Sequence, residues 1–110
     1  MSDDFPGSYE LKTFQAGVRC CNVNSDGSLD CATVGVCPGS RTYDQAVIDC
    51  QGYTKSGITY DRLCTKTELL SNECCNSGGQ CNNYQVWTST SLTGNNCIVS
   101  DEFKNIISFC

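Results

Sequence analysis

The 110-residue sequence contains no histidine and only seven basic side chains. The lack of histidine excludes Ser-His and Cys-His nucleophile pairs and every histidine-containing zinc site. The seven bases oppose twelve acids and leave a net charge of −5. An acidic chain without a cluster of bases lacks the electrostatic footprint that nucleic acid requires. We therefore expect no nucleic-acid partner.

Long apolar runs and targeting signals are also missing. No stretch approaches the roughly 20 apolar residues of a membrane-spanning helix, so we expect no membrane insertion. Residues 1–4 lack the basic start and apolar core of a signal peptide. No Asn-x-Ser/Thr glycosylation site occurs. We interpret the chain as a mature or excised domain.

Cysteine is the residue that the sequence has in excess, with eleven copies. That share is typical of a disulfide scaffold in an oxidising compartment, so we expect a secreted, extracellular or lumenal protein. No CxxC pair occurs, which argues against zinc and iron–sulfur sites, and we expect no metal and no cofactor. Five bridges would use ten of the eleven cysteines and leave one thiol that is buried, reactive or paired with a partner chain in an intermolecular disulfide. The cysteines are Cys20, Cys21, Cys31, Cys37, Cys50, Cys64, Cys74, Cys75, Cys81, Cys97 and Cys110.

The first part of the chain changes character at residue 16. Residues 1–15 show little pattern, so we expect a loosely ordered segment, followed by a single disulfide-stapled domain over 16–110. Alternation of apolar and polar residues over 17–23 predicts a strand, which a turn at Asn24-Ser25-Asp26-Gly27 ends. Residues 24–41 are predicted to be a loop, held by two cysteines.

Two helices follow, each predicted by a capping box. Apolar side chains recur at helical spacing at Tyr43, Ala46, Val47 and Cys50. Thr42 and Gln45 are placed to cap this first helix, and Thr65 and Glu68 are placed to cap a shorter second one. After them, strands are predicted over 86–90, 97–99 and 106–110, with a connection over 101–105. The order of these elements indicates an α+β fold.

The two helices and the segment after them carry a resemblance. A Thr-Tyr-x-x-Ala-Val-x-x-Cys helix over 42–50 precedes Arg62-Leu63-Cys64-Thr65, then Glu68-Leu69, and later Val86-Trp87-Thr88. This order resembles the C-type-lectin-like superfamily in the broad sense, including the Link module. It also resembles the small cysteine-rich "RLCT…EL…CC…VWT" domains of algal and marine secreted proteins.

The resemblance implies a fold and a bridge pattern. The fold would be a small disulfide-rich domain with two helices against a small antiparallel sheet and long loops. Cys50 on the first helix would pair with Cys110 at the end of the domain. A second bridge would join one of Cys74 and Cys75 to one of Cys81 and Cys97.

The sequence departs from the ligand sites of that superfamily. Residues 76–96 contain no carboxylate, whereas calcium takes six to eight oxygens, several of them from carboxylates. No base lies between Lys66 and Lys104, whereas hyaluronan is a polyanion that needs positive charge. We therefore expect neither calcium-dependent sugar binding nor hyaluronan binding.

One short segment offers groups suited to ligand recognition. Its amides, phenol and indole are the chemistry of carbohydrate or peptide binding, although a polar loop before a strand explains the amides equally well. A lone tryptophan among strand-forming residues also belongs more often to the core. The candidate ligand-binding residues are Asn82, Asn83, Tyr84, Gln85 and Trp87.

The carboxylates do not form a catalytic set. Asp44 and Glu68 lie in the first turns of the predicted helices, where the helix dipole favours an anion. Arg62 is interpreted as the ion-pair partner of a helix carboxylate. We expect no catalytic residues and no enzyme activity. The expected function is a non-catalytic, calcium-independent extracellular binding module for a glycan or protein ligand, and the alternative is a structural or accessory subunit docked in a secreted or lumenal assembly.

Overall fold

The computed structural model describes residues 8–71, 74, 84–90 and 102–108. These residues form two three-stranded sheets, a two-stranded hairpin and two helices, and all strand pairs are antiparallel. The strands are β1 (Ser8–Leu11), β2 (Val18–Val23), β3 (Leu29–Val34), β4 (Thr54–Lys55), β5 (Ile58–Thr59), β6 (Arg62–Leu63), β7 (Gln85–Trp87) and β8 (Phe103–Ser108). The helices are α1 (Tyr43–Cys50) and α2 (Lys66–Leu70). The chain is a small disulfide-rich α+β domain with more strand than helix, and the expected single sheet is two sheets.

The first sheet has the order β3-β2-β6. Its central strand β2 confirms the strand predicted over 17–23, beginning one residue later. Cys21 lies opposite Cys31 in β3, and Cys20 lies opposite Leu63 in β6. The loop predicted over 24–41 is wrong for β3, because the turn before it, with Gly27 at φ 90°, folds the chain back onto β2.

The second sheet has the order β1-β8-β7. Strand β1 lies in the segment predicted to be loosely ordered, and it is held by pairing with β8, where Leu11 faces Phe103. The prediction for residues 1–7 lies outside the described residues. Strand β8 begins at Phe103, inside the predicted connection over 101–105. The strand predicted over 97–99 lies outside the described residues, and the sheets meet at a parallel bridge between Gly17 and Val86.

Both predicted helices and both capping boxes are confirmed. The Thr42 hydroxyl accepts from the Gln45 backbone N–H, and the Gln45 side chain accepts from the Thr42 N–H. Thr65 and Glu68 make the same pair of bonds at the start of α2. Arg62 donates two hydrogen bonds to the Glu68 carboxylate, at 2.7 and 2.8 Å, which confirms its predicted ion pair. Neither helix in the described part of the chain is long and apolar enough to cross a bilayer.

The core divides into two clusters, one on each face of β2. Val18 and Cys20 point into a cluster that contains Trp87 and the buried face of α1. Cys21 points into a second cluster, which contains Leu69 of α2. Because successive side chains of a strand alternate, the neighbouring cysteines of β2 enter different clusters.

Candidate functional site

Every cysteine that the structure describes is disulfide-bonded. The bridges are Cys20–Cys50, Cys21–Cys64 and Cys31–Cys74, and Cys37 is disulfide-bonded as well. The predicted disulfide scaffold is confirmed for this part of the chain. Several bridges in a chain of this size indicate an oxidising environment.

The pairings differ from those that the resemblance implied. The Cys50–Cys110 bridge is wrong, because Cys50 lies on the buried face of α1, against Cys20 of β2, and is bonded to it. Cys74 is bonded to Cys31 and not to Cys81 or Cys97. The two cysteines at 20 and 21 send bridges to different partners, as predicted for neighbours on a strand. Cys75, Cys81, Cys97 and Cys110 lie outside the described residues.

Two of the bridges lie side by side and form a buried four-sulfur cluster. Its members are Cys21, Cys31, Cys64 and Cys74, whose sulfurs all lie within 4.8 Å of one another. Between the two bridges, the Sγ of Cys21 is 3.7 Å from that of Cys31 and 3.8 Å from that of Cys74. The Cys21–Cys31 contact follows from their facing positions on β2 and β3. This cluster could not be predicted from the sequence, because its cysteines are too widely spaced to form a metal-binding motif.

A buried arginine adjoins the four-sulfur cluster. Arg19 shares a face of β2 with Cys21 and is fully buried. Its Nη1 donates to Thr33 Oγ1 at 2.6 Å, and its Nη2 donates to the backbone carbonyl of Cys74 at 2.5 Å. Burial lowers the pKa of Arg19 to about 10, so this side chain remains a cation at neutral pH.

The candidate ligand residues do not form one accessible site. Trp87 is fully buried, and its Nε1 donates to the carbonyl of Arg41 at 2.8 Å. The indole therefore offers no face to a sugar, so the ligand-binding assignment of Trp87 is wrong and the core interpretation is confirmed. Tyr84 and Gln85 are exposed, while Asn82 and Asn83 lie outside the described residues.

Trp87 instead supports an aromatic row that runs from the core to the surface. The Phe14 ring stands edge-on to Trp87, with 6.4 Å between centroids, and the Tyr43 ring also packs edge-on to Trp87, with 5.6 Å between centroids. The Lys104 ammonium lies 5.1 Å from the Tyr43 ring centroid. Edge-to-face contacts of this kind fix ring orientation, so Phe14 is held in place by the buried indole.

The outer end of this row opens into an apolar depression. We call it the Phe14 groove, and it is lined by Glu10, Leu11, Thr13, Phe14 and Phe103. Its volume is about 370 Å³. Leu11, Phe14 and Phe103 remain 46%, 38% and 40% exposed. The groove could not be predicted from the sequence, because its residues fall in two segments predicted to lack structure. The local signal was weak: two apolar residues, Leu11 and Phe14, in a mostly polar stretch.

The charged pairs of the described residues tie elements together. Arg41 donates two hydrogen bonds of 2.8 Å to Asp49 of α1, and these bonds raise the pKa of Arg41. Burial raises the pKa of Glu68, but hydrogen bonds from Arg62 and Thr65 outweigh it and lower that pKa below its usual value. Each pair joins a loop or strand to a helix, which is a structural use of charge.

Comparison of the chain with protein-family models, with curated proteins and with solved structures finds no match. The function of this chain must therefore be inferred from its own residues and their geometry.

Proposed function

We propose that this protein is a non-catalytic, calcium-independent, secreted binding module whose ligand is a protein that inserts an apolar side chain into the Phe14 groove. The observation that carries the proposal is the convergence of three exposed apolar side chains, Leu11, Phe14 and Phe103, on one depression. Apolar surface that is gathered in one concave place marks binding sites, whereas single exposed apolar residues are ordinary.

The backbone of the groove is held in place. The Phe14 N–H donates to the carbonyl of Leu11 at 2.8 Å, and the Lys12 N–H donates to the carbonyl of Glu102 at 2.7 Å. The Lys12 carbonyl in turn accepts from the N–H of Tyr43 at 2.9 Å. These bonds connect the groove to α1 and to the segment before β8. A preformed site loses less conformational entropy on binding.

The chemistry of the lining favours a protein ligand over a glycan. Three of the five lining side chains, two phenylalanine rings and a leucine, offer only apolar contact, and the hydrogen-bonding groups that could fix sugar hydroxyls are confined to Glu10 and Thr13. The charged neighbours carry both signs: Glu10 in the lining lies opposite Lys104 of β8, and Lys12 and Glu102 lie beside the groove. We infer that the partner presents an aromatic or aliphatic side chain.

The relation to C-type-lectin-like domains stays a proposal. It is supported by the two capped helices, which precede β7 in the order that the resemblance implied. A module of that kind that binds protein through an apolar surface would need neither calcium nor a basic face.

Chemical-shift mapping tests the proposed function. The ¹⁵N-labelled, oxidised protein is titrated with N-acetyl-phenylalaninamide, and separately with methyl glucoside. We expect the amide probe to shift backbone resonances of residues 10–14 and 103, because its ring enters the groove. Phe103→Ser should weaken this binding by about fivefold or more. The control Ile48→Ser removes an exposed apolar side chain on α1 and should leave the binding unchanged.

Other outcomes of the titration point elsewhere. Shifts caused by the glucoside around Tyr84 and Gln85 would favour the glycan site that the sequence suggested. Spectra that ignore both probes but broaden with protein concentration would favour the structural or accessory subunit. Either result contradicts the proposed ligand.

A further inference from the structure

The four-sulfur cluster brings more sulfur atoms into contact than a single disulfide requires. Each disulfide uses two sulfurs, yet Cys21, Cys31, Cys64 and Cys74 bring all four within 4.8 Å inside the core. The contacts between the two bridges, 3.7 and 3.8 Å, lie close to the separation of ligands around one small ion. The proposed binding function makes no use of this cluster.

The cluster has nearly the dimensions of a tetrahedral tetrathiolate. Zinc binds thiolates at about 2.3 Å, which places the four sulfurs about 3.8 Å apart along every edge of the tetrahedron. Two of the six sulfur pairs already have this separation. Once the two disulfide bonds are broken, the two sulfurs of each former bridge would have to move apart by only about 2 Å. Side-chain rotation of cysteine can supply this movement.

The surroundings also suit a negatively charged metal centre. Zinc with four thiolates carries two negative charges, and burying them requires a nearby cation. Arg19 is buried on the same face of β2 as Cys21 and is bonded to the carbonyl of Cys74. A neighbouring guanidinium also favours the thiolate over the thiol. The four sulfurs come from β2, β3, the start of α2 and the segment after it, so one ion would join these elements.

We propose that Cys21, Cys31, Cys64 and Cys74, when reduced, form a tetrahedral binding site for Zn²⁺. A thiol or phosphine reductant breaks both bridges, each of which accepts two electrons and two protons while the reductant is oxidised. The four resulting thiols release four protons as their sulfurs bind the ion. Reoxidation to the two disulfides removes four electrons and expels the ion, so the site alternates between a metal and two bridges.

Metal titration of the reduced protein tests this proposal. The protein is reduced with a phosphine in metal-free, oxygen-free buffer without denaturant and is titrated with Co²⁺, then with Zn²⁺. We expect visible absorption typical of tetrahedral cobalt thiolate, saturation at one ion per chain, and displacement by Zn²⁺. Iodoacetamide labelling of the zinc-loaded protein with peptide mapping should show protection of these four cysteines that is lost when a chelator removes the zinc.

Paired variants separate this site from metal binding by an unfolded, cysteine-rich chain. Cys31→Ser with Cys74→Ser should weaken zinc binding by at least about 100-fold. Cys20→Ser with Cys50→Ser removes two cysteines from the other core cluster and should stay within about threefold of the parent. Equal losses in both variants, protection of the four cysteines that survives removal of the zinc, or no stoichiometric binding would overturn the proposal. The test uses no ligand of the Phe14 groove, so it is independent of the proposed function.

Discussion

At the scale of single residues, Arg19 is a buried charged group that needs hydrogen-bond partners inside the protein. Its guanidinium satisfies the Thr33 hydroxyl and the Cys74 carbonyl at once, from opposite Nη atoms. A lysine ammonium is a compact charge that lacks this fork. Arg19 therefore joins β2 and β3 to the segment that contains Cys74, in addition to the disulfides.

Replacing this arginine measures what the fork contributes. Arg19→Lys should lower the free energy of unfolding by about 1.5–3 kcal/mol, since at least one buried acceptor loses a charged donor. The matched control Arg41→Lys changes an exposed arginine paired with Asp49 and should cost below about 1 kcal/mol. Urea unfolding of the oxidised proteins, followed by circular dichroism, checks both values. Similar losses in the two variants would contradict the role given to Arg19.

Glu68 makes the stability of the domain depend on pH. Its pKa is lowered in the folded state, because hydrogen bonds from Arg62 and Thr65 outweigh the effect of burial. This stabilisation is complete above the unfolded pKa of about 4.3 and is lost as the pH falls through the lower folded value. As the pH is lowered below about 4.3, we expect the urea concentration at the midpoint of unfolding to decrease in the parent protein and to decrease less steeply in Glu68→Gln. An unchanged slope in the variant would show that other carboxylates carry the dependence.

At the scale of elements, the segment over 16–17, where the two sheets meet through Gly17 and Val86, is crossed by residues 39–41. The Ala16 N–H donates to the Arg41 carbonyl, and the Arg41 N–H donates back to Ala16. Gly39 lies against this crossing so closely that an added Cβ would stand 2.4 Å from the Cα of Gly17. Only glycine fits there, because the neighbouring atoms are backbone.

A methyl group at this crossing tests how rigidly the sheets are joined. Gly39→Ala should destabilise the domain by roughly 1–3 kcal/mol or more, since the clash is with backbone and no side chain can move aside. Gly27→Ala is the comparison, because an added Cβ there meets nothing within 4 Å and only its positive φ opposes it. Thermal unfolding of both variants measures the difference. A smaller loss for Gly39→Ala than for Gly27→Ala would show that the crossing can open.

The elements that could be predicted from the sequence are those whose causes are local. The capping box of Thr42 with Gln45 lies within one helical turn, and the sequence states both partners. Strand β1 depends on Phe103 and its neighbours in β8, which are far away in the chain. The partner of Cys50 was missed for the same reason. The Phe14 groove joins residues from both ends, so no sequence window contains it.

At the scale of the whole molecule, the three bridges between described cysteines are distributed over the two core clusters. Cys20–Cys50 fixes α1 to one face of β2, and Cys21–Cys64 fixes the start of α2 to the other. The eleven cysteines predicted a disulfide scaffold correctly from composition alone. Composition could not predict that two bridges would touch, because that contact depends on the register of β2 with β3 and on the position of Cys74.

The loops closed by these disulfides overlap, and the overlap determines how the domain responds to a pulling force. The segment between Cys31 and Cys64 lies inside both the Cys21–Cys64 and the Cys31–Cys74 loops. A force applied at the two ends passes around that segment while either bridge holds. Because Cys20–Cys50 also closes most of that segment, every bridge must be reduced before it extends, and residues 31–64 alone then add on the order of 100 Å of chain length. The oxidised domain is therefore far less extensible than the reduced chain.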